Sequence, residues 1–273
     1  MIVGLSGWMG SGKDTFALML AYQMKKRTDK YMEDISFADW SFRRELYDGP
    51  TTDFEIRRYA TKLKQIVSLL TNISLKDLED PAVKKSVLPP QWNRTTNDAF
   101  NFLVLRNNRQ MDYAPEDNVD EIASHYGFKK ERTVRELLQE IGTDVFREYF
   151  GDNIWVNALM QDYHPVYGYD HEIEPQLWPN WFVTDVRFVN EVAAIQSRNG
   201  IVIRVNRGKR MSDHPSEASL DNFKQFDAVV DNSGTVEDLL LKASVIVDKF
   251  NLITHASYST KPSVTGQEGS FSI

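Results

Sequence analysis

The stretch Gly4-Leu5-Ser6-Gly7-Trp8-Met9-Gly10-Ser11-Gly12-Lys13-Asp14-Thr15 constrains the fold more than any other part of the chain. Met1-Ile2-Val3 and Leu5 ahead of it read as a short buried strand, and Phe16-Ala17-Leu18-Met19-Leu20-Ala21 after it opens an apolar helix. Gly7 to Lys13 fits the first part of the phosphate-binding loop, G-x-x-x-x-G-K. An anion held by several backbone N–H donors at close range needs a loop without bulky side chains. The helix that follows turns its positive end toward that anion, and Lys13 supplies a mobile point charge. Gly10, Ser11, Gly12, Lys13, Asp14 and Thr15 are therefore candidate phosphate ligands.

One position departs from the pattern. Where it asks for Ser or Thr to bind Mg²⁺, the chain has Asp14, followed by Thr15. A carboxylate there holds Mg²⁺ directly or through water, or takes a proton from the accepting phosphate. Thr15 is placed to hydrogen-bond a phosphate from the first helical turn.

At 273 residues the chain has room for one large domain or two small ones, and 41% hydrophobic residues predict a sizeable core. A formal charge of −7 argues against nucleic acid or a membrane surface as the main partner. The absence of cysteine removes disulfides, thiolate zinc sites and thiol nucleophiles, and fits a reducing cytoplasm. No apolar run reaches membrane-spanning length, and the first strand leaves no place for a cleaved leader. The five histidines show no metal-ligand spacing.

Along the chain, the first helix is predicted from Lys13 to about Lys26, and Asp34 to Ala38 reads as a second strand followed by helical spacing from Asp39 to Leu46. Phe54 to Leu70 has a helical repeat of apolar residues, with Lys62 and Lys64 most simply solvated. Ser74 to Lys85 reads as a short helix interrupted by Pro81, and residues 86–130 as an insertion without a clear repeat. Thr133 and Glu136 stand at capping-box spacing ahead of a helix that Gly142-Thr143-Asp144 breaks, and helix continues through Val145–Tyr149 and Asn153–Met160. Trp181-Phe182-Val183-Thr184-Asp185 has the form of a buried parallel strand whose last residue faces a crevice. Ile201–Val205 and Phe226–Val230 complete five strands, and Thr235 caps a final helix from Val236 to Phe250.

The expected fold is thus α/β, a P-loop NTPase-like, doubly wound, five-stranded parallel sheet with helices on both faces. One domain over residues 1–254 would carry a helical insertion at roughly 54–165 and a lid-like loop at roughly 206–220, and 255–273 would be a disordered tail. Asp185 and Arg187 at a strand end suit Mg²⁺ water or a substrate hydroxyl and a bidentate phosphate clamp, with a surface salt bridge as the plain alternative. Arg207, Lys209 and Arg210 either close over a transferring phosphoryl group or form a solvated basic loop. His214 reads as a local hydrogen-bonding residue.

Ser6-Gly7…Ser11-Gly12-Lys13-Asp14-Thr15 resembles the loop of bacteriophage deoxynucleoside monophosphate kinases, which likewise carry Asp after the lysine. Three more stretches are similar, in the same order: Leu138-Gln139…Gly142-Thr143-Asp144 with Arg147 and Trp155 downstream, Asp185-Val186-Arg187…Glu191, and His214-Pro215-Ser216-Glu217 followed by Asn232-Ser233-Gly234-Thr235. Together they span most of the chain, while residues 86–130 do not align and the C-terminal tail is extra. The resemblance implies transfer of the γ-phosphoryl group of ATP, with Mg²⁺, to a deoxynucleoside monophosphate, giving the diphosphate for DNA precursor synthesis. It implies catalytic roles for Lys13, Asp14, Asp185 and Arg187, with Glu191 in the acceptor-side cluster. Arg132 or Arg135, Gly142, Thr143 and Trp155 would hold the acceptor, Trp155 by stacking on its base unless it is a core tryptophan. Arg43 and Lys64 are weaker carry-overs, and Asn232 to Thr235 resembles an adenine-side loop or is an ordinary strand-to-helix turn. The implied place of action is the cytoplasm, that of the host for a phage protein, and a homodimer is left open.

Two other readings compete. Another small-molecule kinase with a Ser-Gly-Lys-Asp loop, resembling phosphomevalonate kinase, would take an acceptor without a base. A nucleotide-binding switch would bind tightly and transfer nothing.

Overall fold

The computed structural model describes residues 1–43, 54–106, 119–125, 127–165, 178–208, 218–252 and 271–272. In chain order the elements are β1 (Ile2–Ser6), α1 (Lys13–Thr28), α2 (Phe37–Phe42), β2 (Glu55–Arg57), α3 (Ala60–Thr71), α4 (Pro81–Lys85), α5 (Thr96–Arg106), α6 (Val119–His125), α7 (Val134–Gln139), a π-helical turn (Glu140–Val145), α8 (Phe146–Phe150) and α9 (Ile154–Met160). They continue with β3 (Trp181–Val186), α10 (Val189–Gln196), β4 (Ile201–Asn206), β5 (Ala228–Asp231), α11 (Val236–Lys249) and β6 (Phe271–Ser272). The chain divides into two compact units, one of residues 1–61 with 152–273 and one of residues 62–151.

The first unit is built on a parallel sheet with strand order β2-β3-β1-β4-β5-β6. Five strands have three or more residues, and the two-residue β6 adds a sixth at the edge beside β5. β1 lies in the middle, its Val3 facing Phe182 of β3 on one side and Ile201 of β4 on the other. All five of its residues are buried, and each large apolar side chain so covered is worth about 1.5–3 kcal/mol.

Its side chains alternate between faces, as a strand requires. Val3 and Leu5 join Phe16, Leu20, Ile203, Val205, Ala243 and Val247 in one core under α1 and α11. On the other face, the place where Gly4 would carry a Cβ lies 2.6 Å from Ile195 of α10. Helices therefore cover both faces, and the α/β parallel architecture expected from the sequence is present. No helix among the described residues is long and apolar enough to cross a membrane.

Two expectations are corrected. Asp34–Ala38 is not a strand. The Ser36 hydroxyl accepts from Asp39 N–H at 3.1 Å and caps α2, a helix that places Phe37 and Trp40 three residues apart on one side. Both rings meet Tyr22 of α1, with centroids 5.6 and 5.7 Å away. The helical repeat from Phe54 does not start at Phe54 either. Glu55–Arg57 pairs with β3 as an outer strand, and helix begins only at Ala60. Buried Trp40 and Phe54, with partly buried Ile35, Phe37 and Ile56, extend the first core, whereas Phe42, Leu69 and Leu70 are exposed.

The second unit has two small cores of its own. Val67, Leu78, Leu88, Val134 and Leu137 form one, and Ala99, Val119, Ala123 and Phe128 the other, giving the described part of the 86–130 stretch its packing. Thr133 and Glu136 make the reciprocal capping box foreseen at α7. Gly142 sits in the π-helical turn, where a Cβ would come within 2.7 Å of Leu63. Of the tail expected from 255 onward, only Phe271–Ser272 lies within the described residues.

Candidate active site

β1 delivers the chain into the glycine loop, and α1 takes it away. Gly12 caps α1 with φ +91°, a left-handed conformation that glycine adopts without strain. The glycine offers no side chain to cap the helix, so the first amides of α1 remain donors for an anion. Gly7 has φ +150°, and a Cβ there would collide with the carbonyl oxygen of Val205. Ser11 N–H closes the loop onto Trp8 O at 3.1 Å. Lys13 folds back across it, its Nζ donating to Gly7 O at 2.6 Å and to Trp8 O at 2.8 Å.

Two buried side chains from neighbouring strands brace this loop. Asn232, just after β5, donates from Nδ2 to Ser11 O at 2.9 Å, and a Cβ on Gly12 would lie 2.5 Å from that nitrogen. Arg204 of β4 donates to Ser6 Oγ at 3.1 Å and to Asp221 Oδ1 at 3.3 Å, with its guanidinium 5.4 Å from the centroid of the Trp8 ring. The Trp8 indole N–H donates to the same Asp221 oxygen at 2.9 Å. The Ser11 hydroxyl is buried and among the side-chain atoms without a hydrogen-bond partner.

Asp14, on the first turn of α1, meets the ends of two other strands. Its Oδ1 accepts from Arg58 Nη2 at 2.7 Å and from Thr184 Oγ1 at 2.8 Å. Burial pushes the carboxyl up, but the hydrogen bonds from Arg58 and Thr184 and the charges of Arg58 and Lys13 outweigh it, so its pKa lies below the ordinary value. Asp14 is therefore an anion at neutral pH.

Asp185, the next residue along β3 after Thr184, is engaged by main chain. Its two oxygens accept from Tyr59 N–H at 2.8 Å and Ala60 N–H at 3.0 Å, at the start of α3. Glu191 is buried, and its Oε2 accepts from Arg187 N–H at 2.7 Å and Phe188 N–H at 3.1 Å, holding the entry to α10. The Tyr59 hydroxyl donates to Glu191 O at 3.2 Å. The carbonyl of Arg187 accepts from Ser219 Oγ.

Lys13, Asp14, Asp185, Arg187, Glu191, Asn232 and Thr235 all fall in the unit that carries the glycine loop. Thr235 caps α11, its Oγ1 accepting from Asp238 N–H at 3.2 Å. Trp155 is on α9 in the same unit and only 5% exposed, as a core tryptophan is. Arg43, at the end of α2, and Arg207, after β4, are exposed. Lys209, Arg210 and His214–Glu217 lie outside the described residues.

The remaining acceptor-side candidates, Lys64, Arg132, Arg135, Gly142 and Thr143, belong to the other unit. There Lys64 is buried and ion-paired with Glu79 at 2.5 Å, not solvated as its helical position suggested. Arg132 pairs with Glu140 at 3.0 Å, and Arg94 pairs with the same carboxylate. Arg58, Thr184, Arg204 and Asp221 are additions that sequence reasoning did not single out. A correct placement of β2 would have exposed Arg58 as the residue just past a parallel strand's C-terminal end, where α/β sheets bind ligands.

The sequence profile of a family described as deoxynucleotide monophosphate kinase matches residues 70–243, more than half of the chain. The chain belongs to this family. The deoxynucleotide monophosphate kinase of Enterobacteria phage T4 is 26% identical over 259 residues, covering 88% of this chain and 96% of the relative. That of Escherichia phage RB69 is 32% identical over 117 residues, covering 42% of this chain and 45% of the relative. A protein of Acanthamoeba polyphaga mimivirus is 32% identical over 120 residues, covering 42% of this chain and 62% of the relative. The chain thus spans less than two thirds of the mimivirus and RB69 proteins and nearly all of the T4 protein.

Proposed function

We propose that the chain transfers the γ-phosphoryl group of ATP to a deoxynucleoside monophosphate, yielding ADP and the deoxynucleoside diphosphate. The observation that carries this reading is the glycine loop between the central strand and α1, with the Lys13 ammonium held over it and an anionic Asp14 beside it. The phage relatives support the choice of acceptor and a place in the host cytoplasm.

In this reading the loop amides and the N-terminus of α1 bind the outer phosphates of ATP, and Lys13 leaves its two carbonyls to neutralise them. Asp14 and Thr184 present a carboxylate and a hydroxyl at one point, oxygen ligands of the kind Mg²⁺ takes. Among the described residues no three His, Cys, Asp or Glu side chains gather as a metal cage. A single carboxylate completed by phosphates and water is the arrangement that fits these residues. Mg²⁺, when bound, supplies positive charge to the phosphate oxygens. Asp185 positions the Tyr59–Ala60 backbone, and Arg187, held at its own N–H by Glu191, serves as the phosphate clamp on the acceptor side.

Coupled ADP release, with ATP and Mg²⁺ against each deoxynucleoside monophosphate, ribonucleotide controls and phosphomevalonate, tests the proposal. Turnover with deoxynucleotides is expected. Turnover on phosphomevalonate alone would replace the acceptor, and ATP binding without turnover on any acceptor would replace the reaction with a switch.

A further inference from the structure

The Arg58 guanidinium donates to the carboxylate that follows the glycine loop, at 2.7 Å from Asp14 Oδ1. Its backbone is fixed from the next two residues, because the amides of Tyr59 and Ala60 are clamped on Asp185. Thr184, adjacent to Asp185, donates to the same Asp14 oxygen at 2.8 Å. One tripeptide, Arg58-Tyr59-Ala60, therefore ties the loop acid to the end of β3 through a single side chain on one side and two amides on the other.

The pair is not built for stability. The Arg58 and Asp14 side chains are 35% and 59% exposed, and ion pairs that wet contribute little to folding. Such exposure does suit a contact that must break. A guanidinium and a divalent cation are like charges, so each weakens the other's hold on one carboxylate.

We propose that Arg58 is the stand-in counter-cation of the glycine loop, holding Asp14 while the site lacks a metal–nucleotide complex and yielding it when that complex binds. This rests on the reading of the loop as a metal–nucleotide site. Arg58 is then a positioning residue. It keeps the Asp14 carboxylate aimed at the loop, and it sets how much Mg²⁺ is needed to claim that carboxylate.

Calorimetric titration of ADP at a series of Mg²⁺ concentrations tests this without turnover. The readout is the Mg²⁺ concentration giving half of the metal-dependent gain in ADP affinity. Arg58→Gln is expected to lower that midpoint about two- to fivefold, the size of an exposed ion pair's contribution. Arg58→Lys, which keeps the cation, should restore a midpoint near that of the natural protein. In an Asp14→Asn background, Arg58→Gln should change nothing. A midpoint in Arg58→Gln equal to or above the natural one, or Arg58→Lys behaving as Arg58→Gln does, would overturn the proposal. Absence of ADP binding by the unaltered protein, with and without Mg²⁺, would overturn the nucleotide-site reading and this one with it.

Discussion

In the glycine loop the backbone is fixed from outside, by Asn232 reaching Ser11 O and by Arg204 beneath Trp8 and Ser6. The loop's own charged groups, Lys13 and Asp14, make contacts that a bound ligand can replace. At Thr184–Glu191 the arrangement is reversed. There the carboxylates themselves do the fixing, Asp185 at the start of α3 and Glu191 at the start of α10. Carboxylates at the ends of neighbouring strands and helices thus meet replaceable side-chain contacts in one place and serve as architecture in the other. What separates them is the partner: side-chain donors at Asp14, main-chain N–H groups at Asp185 and Glu191.

This contrast can be broken most decisively at Lys13. Lys13→Ala should lower kcat by roughly a hundredfold or more, as loss of a group stabilising transition-state charge does, and should leave the melting temperature nearly unchanged. Coupled ADP release and calorimetry read both, and near-normal turnover would remove the loop from the mechanism. Glu191→Ala should do the opposite. Uncovering two amides beneath a buried side chain costs about 1–3 kcal/mol in denaturant unfolding, with turnover per folded molecule falling far less than in Lys13→Ala, through the Arg187 main chain that Glu191 holds. Asp185→Ala should fall between them, losing about 1–2 kcal/mol of stability together with part of the turnover, because the segment it holds carries Arg58. A large loss of turnover at unchanged stability would instead make Asp185 a group that touches substrate. The smallest effect is expected at Asp14. Its folded pKa is below the ordinary 3.8, so its contribution to stability is complete above that value and is lost as pH falls below it. Asp14→Asn should flatten that acid limb in thermal melts taken from pH 5 downward.

The sequence made the central part of the fold legible because its signals were local. A buried run, three glycines, a lysine and an apolar helix follow one another without a gap, and the capping boxes at Thr133 and Thr235 likewise need only four residues each. The misplaced second strand shows where locality ends. Asp34–Ala38 and Glu55–Arg57 are both short, and which one joins the sheet is decided by tertiary contacts, Phe37 and Trp40 against Tyr22 in one case and pairing with β3 in the other. The site was legible to the same extent. Lys13 and Asp14 were named from their own motif. The meeting of Asp14 with Arg58 and Thr184, 44 and 170 residues away, depends on strand order and leaves no mark in either stretch of sequence.

The central place of β1 also has a consequence for how the molecule comes into being. Its two neighbours in the sheet begin at Trp181 and Ile201, so β1 stays unpaired until those distant segments have been synthesised. At about 5–20 residues per second, the ribosome would keep that strand waiting for roughly 10–40 seconds. β2 waits too, since its partner is again β3. Closing such long loops slows folding, and the buried face of β1 is exposed meanwhile. The glycine loop is therefore translated well before it takes shape, and agents that shield nascent apolar strands should raise the yield of folded protein more than its final stability.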